Sequence, residues 1–277
     1  MIAQARIAMI FAVLVSATLL LAPFQWAAIR WLPRRSGVLP HVWHRMARRL
    51  MGLRVEVVGG VPGQRPLLIV ANHISWVDMV VLGSLLPVSF IAKSDVRSWP
   101  IAGWLAKMQN TVFIERGRRA RAGSQAQDVA GRLARGGALV LFAEGTTGSG
   151  HRVLPFKSAL FGAVDKVLGD GGCEYVTVQP VAIAYVRLHG LPLGRYHQAR
   201  AAWPGDLALA PHLKSFLADG AHDVFVSLCE PIRVRAGDDR KELAERVRQR
   251  IRHDFTAAMR MQRAGDRAAA CVSERLE

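Results

Sequence analysis

The sequence predicts an α/β domain with a mostly parallel central sheet flanked by helices, preceded by an N-terminal membrane-associated helical segment. Three observations carry this. No charged residue occurs from Ile7 to Ile29. Beyond Leu53, short β-branched apolar runs alternate with helical patterns, the way a parallel sheet covered by helices is written. Polar residues cluster just after an apolar strand, PLLIVA (66–71), and the carboxyl ends of strands are where open α/β sheets place ligands.

The N-terminal run contains IAMIFAVLVSATLLLA, apolar enough for lipid, where a spanning helix needs about 20 residues. Pro23 and Gln25 weaken its second half, while Trp26 and Trp31 stand where an interfacial aromatic belt would put them. Arg30, Arg34 and Arg35 follow the run and only Arg6 precedes it, so the positive-inside bias places the rest of the chain on the cytoplasmic side of the inner membrane. PFQWAAIRW after Ala22 is a poor cleavage site for a secretory signal. Residues 1–35 are therefore expected to be an anchor and 36–277 a single domain. His41 to Met51, with Val42, Met46 and Leu50 four apart, reads as a basic amphipathic helix suited to an anionic surface.

Strands are expected at 53–59, 66–71, 88–92, 111–115, 138–144, 176–185 and 223–228. Helices are expected at 76–86, 100–108, 118–135 and 157–168. A long final helix starts near Asp239, with Leu243, Val247, Ile251 and Phe255 on one stripe. Residues 188–220, with scattered Pro and Gly, read as an irregular insertion.

The 277 residues carry 37 Lys and Arg against 21 Asp and Glu, a formal charge of +16, which favours polyanionic partners. A hydrophobic fraction of 51% fits membrane lipids better than nucleic acid. Cys173, Cys229 and Cys271 form no CxxC spacing, so neither a disulfide framework nor a metal site is expected; Cys173 and Cys229 read as small core or loop residues.

The chemistry lies in NHISWVD (72–78). A histidine can take a proton from a hydroxyl, and a carboxylate on its far ring nitrogen fixes the tautomer and stabilises the imidazolium. Residues five apart in a regular helix are about 140° out of phase. His73 is thus expected in the strand-to-helix turn, with Asp78 in the first turns of the helix pointing back. FIERGRR places Arg116 after another strand, and FAEGTTG places Glu144, Gly145 and Thr146 after a third. Three strand ends then deliver a His/Asp pair, a cation able to bind phosphate and a small-residue turn to one edge. GTTGSGHR (145–152) approaches a phosphate-binding loop but lacks its lysine and hydroxyl, and Ser149 lies outside the GxSxG pattern.

NHISWVD, FIER, FAEGT and QPVAI occur in the order found in glycerolipid acyltransferases, and FIAKSDVRSWPIAGW also resembles that family between the first two blocks. The resemblance covers roughly residues 55–190. It implies a membrane-associated O-acyltransferase in which His73 is the general base, Asp78 orients it, and Arg116 with Glu144, Gly145 and Thr146 holds the acceptor's head. It implies acyl-CoA or acyl-carrier protein as donor and no further cofactor. The acceptor would be a lysolipid, first 1-acyl-glycerol-3-phosphate and alternatively lyso-ornithine lipid. Ala143 replaces the family's usual proline, and Thr147 stands where phosphatidate-forming members have arginine; Arg152 or Lys157 could compensate. A non-catalytic lipid-binding protein keeping the same fold is the reading from another class.

Overall fold

The computed structural model describes residues 1–60, 63–114, 119–169, 174–205 and 207–273. It opens with α1 (Ile2–Trp31) and α2 (Val38–Leu50). There follow β1 (Arg54–Val58), β2 (Leu67–Ala71), α3 (Val77–Leu85), β3 (Ser89–Lys93), α4 (Pro100–Met108), β4 (Val112–Ile114), α5 (Arg119–Ala134) and β5 (Ala138–Phe142). The second half contains α6 (Gly162–Gly169), β6 (Val176–Leu188), β7 (Leu191–Pro192), α7 (Gly194–Ala201), α8 (Leu209–Asp219), β8 (His222–Leu228), β9 (Ile232–Val234) and α9 (Arg240–Ser273).

One sheet runs in the order β1-β8-β6-β2-β5-β3-β4, with β7 and β9 also paired to β6. The pairs of β2 with β5 and β6, of β3 with β4 and β5, and of β1 with β8 are parallel. Those between β6 and β7, β8 or β9 are antiparallel. Every residue of β2 and β5 is buried, as expected of central parallel strands covered on both sides. Helix α2 packs on α3 and α1 on α2, while α9 packs on β6 and α5 on α6. The expected strands are present, with two differences at their ends. β6 continues to Leu188, and β5 stops at Phe142 because Gly145 N–H turns back to the Phe142 carbonyl at 3.1 Å.

Residues 188–220 are not irregular. They fold mainly as α7 and α8. Leu213, Phe216 and Leu217 give α8 an apolar stripe that packs on the core, a helical period easily lost beside the prolines and glycines around it. Helix α7 shows no such stripe; it is anchored by Gln198 and Ala201, both buried.

Helix α1 is long and apolar enough to cross a membrane by length and composition. It runs unbroken through Pro23, and Gln25 turns inward, its amide donating to the carbonyls of Ser36 at 2.8 Å and Met108 at 2.6 Å. Arg6 donates to the Met51 carbonyl near the other end of the helix, and Trp43 Nε1 of α2 donates to Thr18 in the middle. The helix thus lies along the domain with Ile7, Ile10 and Leu14 facing inward. Phe11, Val15, Leu19, Leu20, Phe24 and Trp26 remain exposed on other sides. In α2 the buried residues are Pro40, His44 and Ala47, while Val42 of the expected apolar stripe is exposed.

Candidate functional site

The last residue of β2, Ala71, pairs with Val181 of β6. Asn72 then leaves the strand but keeps its place against β6 through its side chain: Nδ2 donates to the Ile183 carbonyl at 2.9 Å, and Oδ1 accepts from Ile183 N–H at 2.8 Å. The amide stands in for a strand residue and frees the next peptide to turn, and on that turn sits His73.

His73 Nδ1 and Asp78 Oδ2 are 2.8 Å apart. An ionised carboxylate only accepts, so Nδ1 carries the proton and Nε2 is left with a free lone pair. The imidazole stacks on Phe142 at 3.9 Å between centroids and 14° between planes, which fixes the plane in which Nε2 points. The side chain of His73 remains 16% exposed while that of Asp78 is fully buried.

A carboxylate out of water needs partners, and Asp78 has four. Oδ2 also accepts from Ile74 N–H at 2.7 Å and Ser75 N–H at 2.9 Å, and Oδ1 accepts from the Tyr185 hydroxyl at 2.8 Å. Asp78 lies in the first turn of α3, where a negative charge is favoured. Tyr185 is fully buried. Burial first, and then the neighbouring charge of Asp78, hold its hydroxyl well above the ordinary phenol pKa, so it stays a donor.

Glu144 follows β5 and is 3% exposed. One carboxyl oxygen accepts from Leu154 N–H at 3.0 Å and the other from His73 N–H at 3.4 Å. Burial outweighs these two donors, and Asp78 adds repulsion, so the carboxyl is pushed up to about 8. Its side chain faces inward and ties the backbone of His73 to the loop after β5. Gly145 holds φ at 74°, a left-handed conformation that glycine adopts without strain. Thr146 beside it is exposed and Thr147 is buried. Gly148 N–H donates to the His73 carbonyl at 2.8 Å, and Trp203 N–H, between α7 and α8, donates to the Ile74 carbonyl at 2.9 Å. Trp76 Nε1 meets His212 Nδ1 of α8 at 3.1 Å.

The structure therefore brings His73, Asp78, Glu144 and Gly145 to one corner. Arg116 lies outside the described residues, as does Cys173. Cys229 is buried, which pushes its thiol up to about 12. Among the described residues no group of three or more His, Cys, Asp and Glu side chains is placed to hold a metal ion. Sequence reasoning missed Tyr185, Gln198 and Trp203. Tyr185 sits two residues past Ile183 on the buried strand after QPVAI, and nothing local marks its hydroxyl as aimed at Asp78.

The family model described as Acyltransferase matches residues 53–184. The lyso-ornithine lipid O-acyltransferases of Brucella abortus and Rhizobium meliloti are 48% and 46% identical to this chain, each over 94% of it, and the matches cover 97% and 89% of those proteins. The 1-acyl-sn-glycerol-3-phosphate acyltransferase of Neisseria gonorrhoeae is 41% identical over 34% of this chain and 37% of its own length. Among solved structures, the 1-acyl-sn-glycerophosphate acyltransferase of Thermotoga maritima superposes with a TM-score of 0.61. That match covers 90% of this chain and 93% of the other at 21% identity, a likeness of fold.

Two outcomes are expected. Tyr185→Phe keeps the ring but removes a hydrogen bond to a charged carboxylate, an interaction of about 1.5–3 kcal/mol. Turnover should fall roughly 10- to 100-fold with little change in KM, and unchanged turnover would show that Asp78 needs no support from β6. For Glu144 the folded pKa lies above the ordinary 4.5, so the folded state binds more protons between those values. The contribution of Glu144 to stability should accordingly decline as pH rises from about 4.5 to about 8, by on the order of a few kcal/mol. His44 and His222, which burial lowers to about 4, act in the opposite sense up to about pH 6.5, so the measurement is the difference between wild type and Glu144→Gln. The stability of the wild type relative to the variant should fall across that range, and a difference independent of pH would refute the assignment.

Proposed function

Since the chain belongs to the acyltransferase family and is an enzyme of the lysolipid acyltransferase type, we propose that it moves a fatty acyl group from a thioester to the free hydroxyl of lyso-ornithine lipid. The observation that carries the chemistry is the 2.8 Å contact of His73 Nδ1 with a carboxylate held by three further donors. His73 Nε2 takes the proton as the lipid hydroxyl attacks the thioester carbonyl. Asp78 balances the imidazolium, and the tetrahedral intermediate collapses to the ester. The departing thiolate takes the proton from Nε2, so the histidine returns to its starting state without an acyl-enzyme. Acyl-CoA or acyl-carrier protein is the donor. Arg116 and the turn at Gly145 and Thr146 hold the acceptor's head, and Glu144 acts through the backbone it ties down. No further cofactor takes part.

The acceptor assignment rests on relatives that match this chain nearly end to end. A second reading, 1-acyl-glycerol-3-phosphate, is supported by relatives that match about a third of it. Residues 1–35 act as the anchor and 36–277 as the catalytic domain, on the cytoplasmic face of the inner membrane. Support for anchoring comes from the exposed apolar side chains of α1. Because Arg6 and Gln25 both hold α1 to the domain, roughly 28 Å of helix lies against protein, which fits seating in one leaflet.

Purified full-length protein, offered a labelled acyl thioester and a panel of lyso-ornithine lipid, lysophosphatidic acid and lysophosphatidylcholine, should acylate lyso-ornithine lipid fastest. His73→Ala should lose activity by about 10²- to 10⁴-fold while remaining folded. Preference for lysophosphatidic acid would overturn the acceptor and leave the chemistry standing; full activity of the mutant would overturn the chemistry. High-salt washing should leave the protein on membranes, since apolar burial is not screened. Complete release would mean that the charge alone attaches it.

A further inference from the structure

Away from the catalytic corner, a cavity of about 500 Å³ runs beside β4, the edge strand, between α4 and α5. Three strand spacings separate β4 from β2, roughly 14 Å. The lining includes Arg97, Lys107, Arg132 and Arg135 with one carboxylate, Asp128. Arg132 is half-buried, and its guanidinium donates to the Asn110 carbonyl. Burial, and then the charge of Arg135, hold its pKa below the ordinary arginine value. Arg97 stands 6.0 Å from the centre of the Phe113 ring. Asp128 offsets part of the lowering for Arg132, and the described lining still sets four cations against that one carboxylate, an excess that a bound anion would relieve.

A second observation says where that anion comes from. Asn110, on the cavity wall, donates to Ser36 Oγ at 3.2 Å, and the Ser36 carbonyl accepts from Gln25 of α1. The cavity is thus fastened beside the end of α1 that carries Trp26, Arg30 and Trp31. Trp99, just before α4, and Ile101 and Trp104 within it are exposed by 40%, 75% and 38%. Trp104 and Lys107 are three residues apart, on the same side of α4, so an indole and a cation leave the helix together. Gly103, four residues before Lys107, lets α4 come close to the chain at Arg97: a Cβ there would lie 2.5 Å from the Arg97 carbonyl oxygen. Indoles at the headgroup level with cations beside them match the interface of a bilayer containing anionic lipid.

We propose that this cavity binds the phosphate headgroup of an anionic membrane phospholipid, with Trp99, Ile101 and Trp104 entering the same leaflet as α1. The site is separate from the transfer reaction and orients the domain on the membrane.

The test titrates full-length protein in detergent micelles with dioctanoyl phosphatidylglycerol, dioctanoyl phosphatidylcholine, inorganic phosphate and coenzyme A, counting bound molecules by native mass spectrometry. Phosphatidylglycerol should bind in preference to phosphatidylcholine. The double variant Arg97→Gln and Lys107→Gln, both exposed and outside the core, should bind it on the order of tenfold more weakly, the scale expected for cations lost near an anionic surface. A charge-matched pair toward the far side of the sheet, Arg235→Gln and Lys241→Gln, should bind as the wild type does. So should His73→Ala, which separates this result from the fate of the transfer reaction. Equal weakening by both pairs, or no preference over phosphatidylcholine, would overturn the proposal. Inorganic phosphate competing as well as the lipid would make the cavity a free-anion site. Coenzyme A competing better would make it a donor site. Either result also overturns the proposal.

Discussion

The corner around His73 depends on one carboxylate that has been taken out of water. Asp78 is fully buried, and an ionised carboxylate in that position destabilises the fold unless donors surround it. Its donors come from the turn after β2 and from the middle of β6, elements that meet only when the sheet is assembled. The spacing of His73 and Asp78 cannot bring them together within one helix, and the turn that does so is itself folded around the Asp78 oxygen. Imidazole, turn and strand therefore form one cooperative unit.

The same constraint accounts for Glu144. A second ionised carboxylate beside Asp78 would compete for the charge of an imidazolium at His73. Burial pushes the Glu144 carboxyl up to about 8, which favours its uncharged form while it ties down the His73 backbone. Phe142, one strand over, fixes the imidazole by stacking, and Phe90 of β3 lies nearly parallel to Phe142 at 6.2 Å. Side chains from β3, β5, β6 and α3 thus combine to hold one ring in place, which is what proton transfer at a defined atom requires.

Much of this was legible in the sequence because it is written locally. Apolar β-branched runs mark strands whatever surrounds them, and the spacing of His73 and Asp78 already demanded a turn followed by a helix. Tyr185 was not legible: a tyrosine within a strand whose residues are nearly all buried reads as core, and its hydroxyl acquires meaning only from Asp78, 107 positions away. The α7–α8 region was misread for a related reason. Its contacts, Trp203 N–H to Ile74 and His212 to Trp76, are tertiary, and helix α7 is held by a buried glutamine rather than an apolar stripe. Asn72 lies between these cases. Its position at a strand end was visible, but its role as a substitute strand residue against Ile183 required the register of β6.

The exposed apolar residues follow a different logic, since the described residues leave much of their surface uncovered. Ordinary surface apolar residues occur singly, whereas Leu19, Leu20, Phe24 and Trp26 crowd one stretch of α1, and Trp99, Ile101 and Trp104 cluster around the start of α4. The two helices pack together, with Gln25 turned inward at their junction, where its amide nitrogen donates to the Ser36 and Met108 carbonyls. That single inward glutamine lets a helix otherwise suited to lipid keep a fixed place on a catalytic domain. An enzyme that acylates a lysolipid needs its site open to a lipid hydroxyl, and the His73 side chain is 16% exposed on a domain to which α1 is tied at Arg6, Thr18 and Gln25.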